Sequence, residues 1–97
     1  MYEVERTEVF RRWLASLRDE VARSRILVSI DRVALGLADV KWVAQSVAEV
    51  RVHHGPGYRI YFTRRGRRVL LLLCGGDKSS QKRDIDKAVA MAEELRG

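Results

Sequence analysis

The sequence predicts an α+β domain in which an N-terminal strand and an α-hairpin pack on an antiparallel β-meander with a C-terminal helix. Three observations support this class. Apolar residues recur every three or four positions between residues 10 and 37, the period of amphipathic helices. Between residues 48 and 73 they alternate or run continuously, as in strands. The helical period then returns. A chain of 97 residues is expected to form one domain, 1–97.

The first part of the chain is predicted to be a strand and two helices. Tyr2 and Val4 alternate with glutamates, which suits a short strand. Thr7 and Asp19 are residue types that cap helix N-termini. Gly36 is expected to end the second helix. The apolar stripes after the two caps are Phe10, Trp13, Leu14, Leu17 and Val21, and then Ile26, Leu27, Ile30, Val33, Ala34 and Leu37.

The middle of the chain is predicted to be the meander. Residues 40–42 fit either a short strand or a loop, and Trp42 suits either the core or a stacking position. Residues 48–53 and 58–63 alternate around the turn His54-Gly55-Pro56-Gly57. Residues 64–66, Arg-Arg-Gly, signal the next turn. Residues 69–73 are apolar at every position, which is typical of a central strand covered on both faces.

The C-terminal part is predicted to be a turn and a helix. The pair Gly75-Gly76 is expected to end the central strand, and Ser79 or Ser80 to cap the helix. A phosphate loop is not indicated, because the spacing GxxxxGK[ST] is missing from residues 75–81. Cys74 is expected to be a small buried residue. The apolar stripe of the helix is Ile85, Ala88, Val89, Ala92 and Leu95.

The positive charge is concentrated in one segment. The chain carries 19 Lys and Arg against 13 Asp and Glu, a net charge of +6. Residues 51–68 contain six arginines, two histidines and no acidic residue, so the whole excess lies there. A segment of this kind indicates an anionic partner such as RNA, DNA or an acidic protein. Charges scattered through the first 13 residues do not suit a signal peptide, and a cytoplasmic location is expected.

Strand alternation predicts which of these side chains share a surface. Val50, Val52, Ile60 and Phe62 are expected to face the α-hairpin. The opposite, open face would then carry Arg51, His53, Arg59 and Tyr61, with Arg64, Arg65, Arg67 and Arg68 at the rim of the next turn.

That face has groups suited to RNA cleavage. Arginines bind phosphate oxygens bidentately, histidine exchanges protons near neutral pH, and tyrosine stacks on bases or donates a hydroxyl. The alternatives are structural. Arginine-rich turns are also typical of solvated edges that block aggregation, and His53 and His54 adjoin a turn where a catalytic role is not required. No Cys or His spacing indicates zinc, and no metal or other cofactor is expected.

Two runs of sequence resemble a known family. EVRVHHGPGYRIYF (residues 49–62) and LLLCGGDKSSQ (residues 71–81), followed by a helix opening with Arg83-Asp84-Ile85, resemble the "addiction module killer" branch of RelE/HigB-type toxins. These are the toxin halves of bacterial type II toxin–antitoxin systems. The resemblance covers essentially the whole chain and implies a RelE-like fold.

The resemblance also implies an activity. Related toxins enter the ribosomal A site and cut mRNA by attack of a 2′-hydroxyl on the adjacent phosphate, without a metal. Arg59 matches an arginine that such toxins place near the scissile phosphate, and Arg51 matches the arginine on the preceding strand. Basic residues are frequent in relatives at His53 and His54, and Lys78 and Gln81 belong to the branch motif. The residues expected to bind RNA are His53, Lys78, Gln81 and the four rim arginines. Relatives often carry a catalytic Tyr or His near the C-terminus, where this sequence has neither, so His54 or Tyr61 is expected to move the proton.

Partners follow from the resemblance as well. It implies a cognate antitoxin, expected to be a helix-turn-helix protein, with operator DNA contacted only through the antitoxin, and the ribosome with its mRNA as target. The same superfamily contains ParE-like toxins, which inhibit DNA gyrase and cut no RNA. Fold alone therefore does not decide function. A basic RNA-binding domain without toxicity is the third hypothesis.

Overall fold

In the computed structural model, which describes residues 1–95, strand β1 (Glu3–Arg6) precedes helices α1 (Glu8–Ser16) and α2 (Glu20–Ala34). This order confirms the predicted α+β class, and only residues 96 and 97 of the predicted domain lie outside the described part. The remaining elements are β2 (Val40–Trp42), β3 (Ala48–Val52), β4 (Tyr58–Arg65), β5 (Val69–Asp77), a 3-10 turn (Lys78–Ser80) and α3 (Gln81–Glu94).

The five strands form one sheet in the order β1-β5-β4-β3-β2. The pairs from β2 to β5 are antiparallel, whereas β1 is parallel to β5. Since β5 lies between β1 and β4, and its residues 70–74 are all buried, the predicted central strand is confirmed. Across residues 1–95, every helix is too short or too polar to span a bilayer.

The predicted caps of the α-hairpin are confirmed. The Thr7 hydroxyl accepts the backbone N–H of Phe10 at 3.0 Å, and the Asp19 carboxylate accepts those of Val21 and Ala22 at 3.0 and 3.1 Å. These bonds satisfy N–H groups that a helix cannot satisfy internally. The Thr7 hydroxyl also donates to the carbonyl of Leu73 at 2.6 Å, which fixes the start of α1 against β5.

Each face of the sheet has its own core. The α-hairpin covers one face, and the predicted inward direction of Val50, Val52, Ile60 and Phe62 is confirmed there. The other face is covered by α3. This second core contains Val47, Tyr61, Leu71, Leu73, Cys74, Ala88 and Ala92. The predicted burial of Cys74 is therefore confirmed.

The predicted apolar stripes are wrong at their margins. Val21 is 52% exposed and belongs to α2, because α1 ends at Ser16. Ala22 and not Val21 opens the buried line of α2. Leu27 and Leu37 are 42% and 60% exposed, since one lies beside this line and the other lies beyond the end of the helix. Leu95 and Trp42 are also exposed, so Trp42 does not belong to the core.

Gly75 and Gly76 do not end the central strand, as the sequence suggested. They pair with Ile60 and Arg59, and β5 continues to Asp77. A Cβ atom on Gly75 would overlap the Trp13 ring, and one on Gly76 would overlap the Asp84 carboxylate. These glycines therefore permit close packing of α1 and α3 on the strand instead of a turn.

The start of α3 also differs from the prediction. Ser80 occupies the N-cap position but makes no capping hydrogen bond there. Asp77 caps the preceding 3-10 turn by accepting the backbone N–H of Ser79 at 2.8 Å. The hydrogen bond from the Ser79 side chain is the main reason that the pKa of Asp77 lies below its usual value. The Ser80 hydroxyl instead donates to the Asp84 carboxylate.

Candidate functional site

The end of the sheet where β3 stops and β4 begins carries two arginines that the sequence singled out. Arg51 and Arg59 are directly opposite each other in the β3–β4 pair. Like charges in this position repel, so a compensating anion is needed. Glu49 provides it from a fully buried side chain. Its Oε1 accepts from Arg51 Nε at 3.0 Å, and its Oε2 lies 3.5 Å from Arg59 Nε.

The first residue of α3 completes this group. Gln81 Nε2 donates to Glu49 Oε2 at 2.9 Å, so one carboxylate joins β3, β4 and α3. Arg59 Nη1 also donates to the carbonyl of Gly57 at 3.3 Å, which fixes the guanidinium beside the β3–β4 turn. We call Glu49, Arg51, Arg59 and Gln81 the Glu49 cluster. Its two cations exceed its one anion, so it keeps a net positive charge.

This face is not the open surface that the sequence predicted. The shared direction of Arg51, Arg59 and Tyr61 is confirmed, but α3 covers part of this face and packs on Tyr61. Arg59 is 6% exposed and Tyr61 is fully buried. The Arg51 side chain remains 45% exposed, so it is the part of the arginine pair that solvent reaches most easily. Strand alternation predicts the face on which a side chain lies but not what covers that face.

Tyr61 lies deep in this region. Burial raises its pKa above the usual value, and the nearby carboxylates of Glu49 and Asp84 raise it further because negative charge disfavours the phenolate. Its hydroxyl makes no hydrogen bond to any residue from 1 to 95. Tyr61 is therefore a neutral phenol at physiological pH, without the exposed position that the sequence assigned to it.

The two adjacent histidines point in different directions. His54 Nε2 lies 3.0 Å from Asp19 Oδ2 at the cap of α2. This hydrogen bond is the main reason that the pKa of Asp19 is lowered. His53 is exposed and lines a groove together with Arg51. His53, and not His54, therefore shares a groove with Arg51.

The four rim arginines lie at the opposite end of β4. Six residue steps separate Arg59 from Arg65, which corresponds to roughly 20 Å of strand. Arg64 donates to two carbonyl oxygens of the β4–β5 turn, both at 3.0 Å, so it closes that turn. The structure therefore brings none of the four rim arginines to the Glu49 cluster: Arg64, Arg65, Arg67 and Arg68.

The motif of residues 71–81 contributes on the other side. Gln81 belongs to the Glu49 cluster itself. Lys78 is exposed, and its Cβ lies close to Gly57 in the β3–β4 turn. Of the sequence-predicted RNA-binding residues, these two and His53 lie at the same end of the sheet as Arg51 and Arg59.

Sequence reasoning missed two buried carboxylates. Glu49 shares the alternation of Arg51, and that signal was available. Asp84 is 8% exposed and lies over Gly76. Its spacing of four and eight from Ala88 and Ala92, which are both buried, marks it as a residue of the inner face of α3. An acidic residue in an otherwise apolar helix stripe was therefore the overlooked signal.

Metal-ligating groups do not gather in this part of the molecule. Within residues 1–95 there is no group of three or more His, Cys, Asp or Glu side chains able to hold a metal ion. Burial raises the pKa of Cys74 to about 12, so its thiol stays protonated at physiological pH.

Replacing Glu49 by alanine is expected to destabilise the fold strongly. Breaking a buried ion pair by removing one partner typically costs about 3–5 kcal/mol, because the remaining charge is buried without compensation. Urea unfolding followed by circular dichroism measures the change. Glu8→Ala is the matched control, since its ion pair with Arg12 is exposed and should contribute less than about 1 kcal/mol. Equal unfolding midpoints for the two variants would contradict the structural role of Glu49.

These features define a small basic α+β protein with an arginine pair held by a buried carboxylate at one end of its sheet. A family model for Phage derived protein Gp49-like (DUF891) matches residues 10–96. An uncharacterized protein of Haemophilus influenzae is 37% identical over 94 residues, which cover 96% of this chain and 95% of that protein. The chain belongs to the phage-derived Gp49-like family, whose members resemble the toxins of toxin–antitoxin systems. The expected relationship to such toxins is confirmed at this level, and it implies an antitoxin partner.

Proposed function

We propose that this protein is a RelE/HigB-type toxin that cuts mRNA on the ribosome. The observation that carries the proposal is the arginine pair. Arg51 and Arg59 face each other on neighbouring strands, so the half-exposed guanidinium of Arg51 can bind a phosphate while the buried charge of Arg59 adds to the positive potential beside it. Glu49 and Gln81 hold them in place before any ligand arrives. Oriented donors of this kind stabilise the charge that develops on a phosphorane.

The proposed reaction is a transesterification within the RNA. The 2′-hydroxyl loses its proton and its oxygen forms a bond to the adjacent phosphorus. The bond from phosphorus to the 5′-oxygen breaks and that oxygen takes up a proton, which leaves a 2′,3′-cyclic phosphate and a 5′-hydroxyl. Arg51 and Arg59 neutralise the phosphorane. His53, exposed beside Arg51, is the group we assign to proton transfer, in place of the predicted His54 and Tyr61. No step in this scheme requires a cofactor.

The proposed partners are an antitoxin and the ribosome. Family membership supports the antitoxin, which we propose to be a helix-turn-helix protein that binds operator DNA on behalf of the pair. Excess positive charge on residues 51–68 supports a target made of RNA. This charge increases the rate of encounter with the ribosome, and the Glu49 cluster then acts on the bound mRNA.

Primer extension on cellular mRNA tests the proposal. After induction without antitoxin, new 5′ ends are expected inside translated reading frames within minutes. In a reporter mRNA, these new 5′ ends should disappear when the start codon is removed. They should also disappear when the Arg51→Ala variant is induced in place of the wild type. Arg12→Ala on the exposed face of α1 is the control and should cut like the wild type.

Three outcomes would contradict the proposal. Intact mRNA together with broken or relaxed chromosomal DNA would indicate a gyrase inhibitor of the ParE type. Unimpaired growth at high expression of folded protein would indicate a basic RNA-binding domain without toxicity. A cutting pattern that is independent of translation would contradict the requirement for the ribosome.

A further inference from the structure

The edge strand β2 is shorter than its neighbour and leaves the end of β3 uncovered. The register between the two strands ends with Val40 opposite Val50, so Arg51 has no partner in β2. A groove of about 560 Å³ lies at this position. It is bounded by the last turns of α2, by β2 and by the end of β3.

The lining of the groove is basic. Arg32 comes from the last turn of α2, Lys41 from β2, and Arg51 and His53 from the end of β3. The lining also contains two acidic residues, the exposed Asp39 and the buried Glu49, which is paired with Arg51. Among residues 1–95, neither Arg32 nor Lys41 has a carboxylate within ion-pair distance. Cations that stay unpaired around a concave surface attract an anionic ligand.

Arg32 is also held in position. Its Nη2 donates to the carbonyl of Leu37 at 3.0 Å, which joins the end of α2 to the segment before β2. The guanidinium therefore has one donor occupied by the protein, while others remain free for a ligand. A partly ordered arginine loses less conformational freedom when it binds a phosphate.

The groove is continuous with the Glu49 cluster. Arg51 lines the groove and also belongs to the arginine pair, so a ligand that passes through the groove reaches that pair directly. A cavity of about 560 Å³ is far too small for an RNA duplex but suits a segment of single strand. Arg32, Lys41 and Arg51 bring three separate cations to one groove, which suits a polymer that carries one negative charge per repeat.

We propose that this groove binds the phosphate backbone of single-stranded RNA next to the nucleotide held by Arg51 and Arg59. The choice of RNA rests on the proposed function, whereas the anionic character of the ligand rests on the groove itself. Its contacts are electrostatic and independent of base identity, so the groove contributes affinity and register and not sequence preference.

Fluorescence anisotropy with a labelled 2′-O-methyl RNA of 12 nucleotides tests the inference. The methyl group removes the nucleophile, so binding is measured without cleavage. Each phosphate contact to single-stranded RNA contributes about 0.7 to the slope of log K against log salt concentration. This slope is negative, and the double variant Arg32→Ala, Lys41→Ala is therefore expected to make it less steep by about 1.4 than in the wild type.

The matched control is the double variant Arg11→Ala, Arg12→Ala, which removes the same charge from exposed positions on α1. It should leave the slope within measurement error of the wild type. Lys41→Gln alone is a second test, because it leaves the hydrogen bond of Arg32 to Leu37 intact and places no second carboxylate opposite Glu49. This variant should weaken RNA binding while its melting temperature remains that of the wild type.

Three results would overturn the inference. Two of them are equal slopes for the two double variants and no RNA binding by the wild type. The third is a double variant Arg32→Ala, Lys41→Ala that binds RNA as the wild type does but binds a poly-glutamate peptide more weakly. The proposed function can fail separately. The wild-type protein could bind RNA with the expected groove-dependent slope and still produce no cuts in primer extension. That result would contradict the nuclease activity and support the RNA-binding groove. Normal mRNA cutting together with equal slopes for the two double variants would support the nuclease activity and contradict the RNA-binding groove.

Discussion

Arg59→Ala is expected to abolish growth arrest and mRNA cutting when the variant is induced in place of the wild type. The guanidinium of Arg59 donates from Nη1 to the carbonyl of Gly57, and its Nε lies 3.5 Å from Glu49 Oε2, so its orientation is restricted before the substrate binds. Loss of one oriented donor to a developing charge costs about 10²–10³ in rate, or about 2.7–4 kcal/mol. Growth curves and primer extension in the same cultures measure the effect.

Arg59→Lys separates orientation from charge. Lysine keeps the positive charge beside Glu49 but presents no planar fork, so the fold should persist while most of the cutting is lost. Thermal melting of both variants shows whether the loss comes from unfolding, since Arg59 is buried against Glu49. The Arg59→Ala protein could be folded, produced at the wild-type level and still able to arrest growth fully. That result would contradict the proposed role of Arg59 in RNA cleavage.

Strand alternation explains why half of this site could be predicted from the sequence. Arg51 and Arg59 lie at equal parity on two strands joined by one turn, and the structure pairs them directly. Helix caps such as Thr7 and Asp19 were equally accessible, because a cap depends on residues within one helical turn. Features that depend on nearby residues are therefore the ones that the sequence predicted correctly.

Contacts between distant residues explain the errors. The sequence treated Gly75-Gly76 as a turn, because the local signal is the same for a turn and for a strand that needs room. Only the positions of Trp13 and Asp84 distinguish the two. In the same way, the apolar stripe of α3 predicts a buried face but not which side of the sheet it covers. Arg59 and Tyr61 therefore lie beneath a helix instead of on an open surface.

His53 and His54 show the same limit within two neighbouring residues. Composition gives no reason to prefer either of them. The structure separates them because β3 ends at Val52, after which the chain turns and His54 meets Asp19 from the α-hairpin. His53 keeps the direction of Arg51, as alternation requires. The proposed role in proton transfer is therefore assigned to His53, which lines the same groove as Arg51.

His53→Ala is expected to reduce mRNA cutting about 10²–10⁴-fold, the usual contribution of a positioned acid or base. His54→Ala is the control and should cut at close to the wild-type rate, because its ring is bonded to Asp19 at the cap of α2. Added imidazole should partly restore cutting by His53→Ala, since a small base can fill the space of the missing ring. A merely structural histidine would show no such rescue. Equal losses in both variants, or loss only in His54→Ala, would refute the assignment.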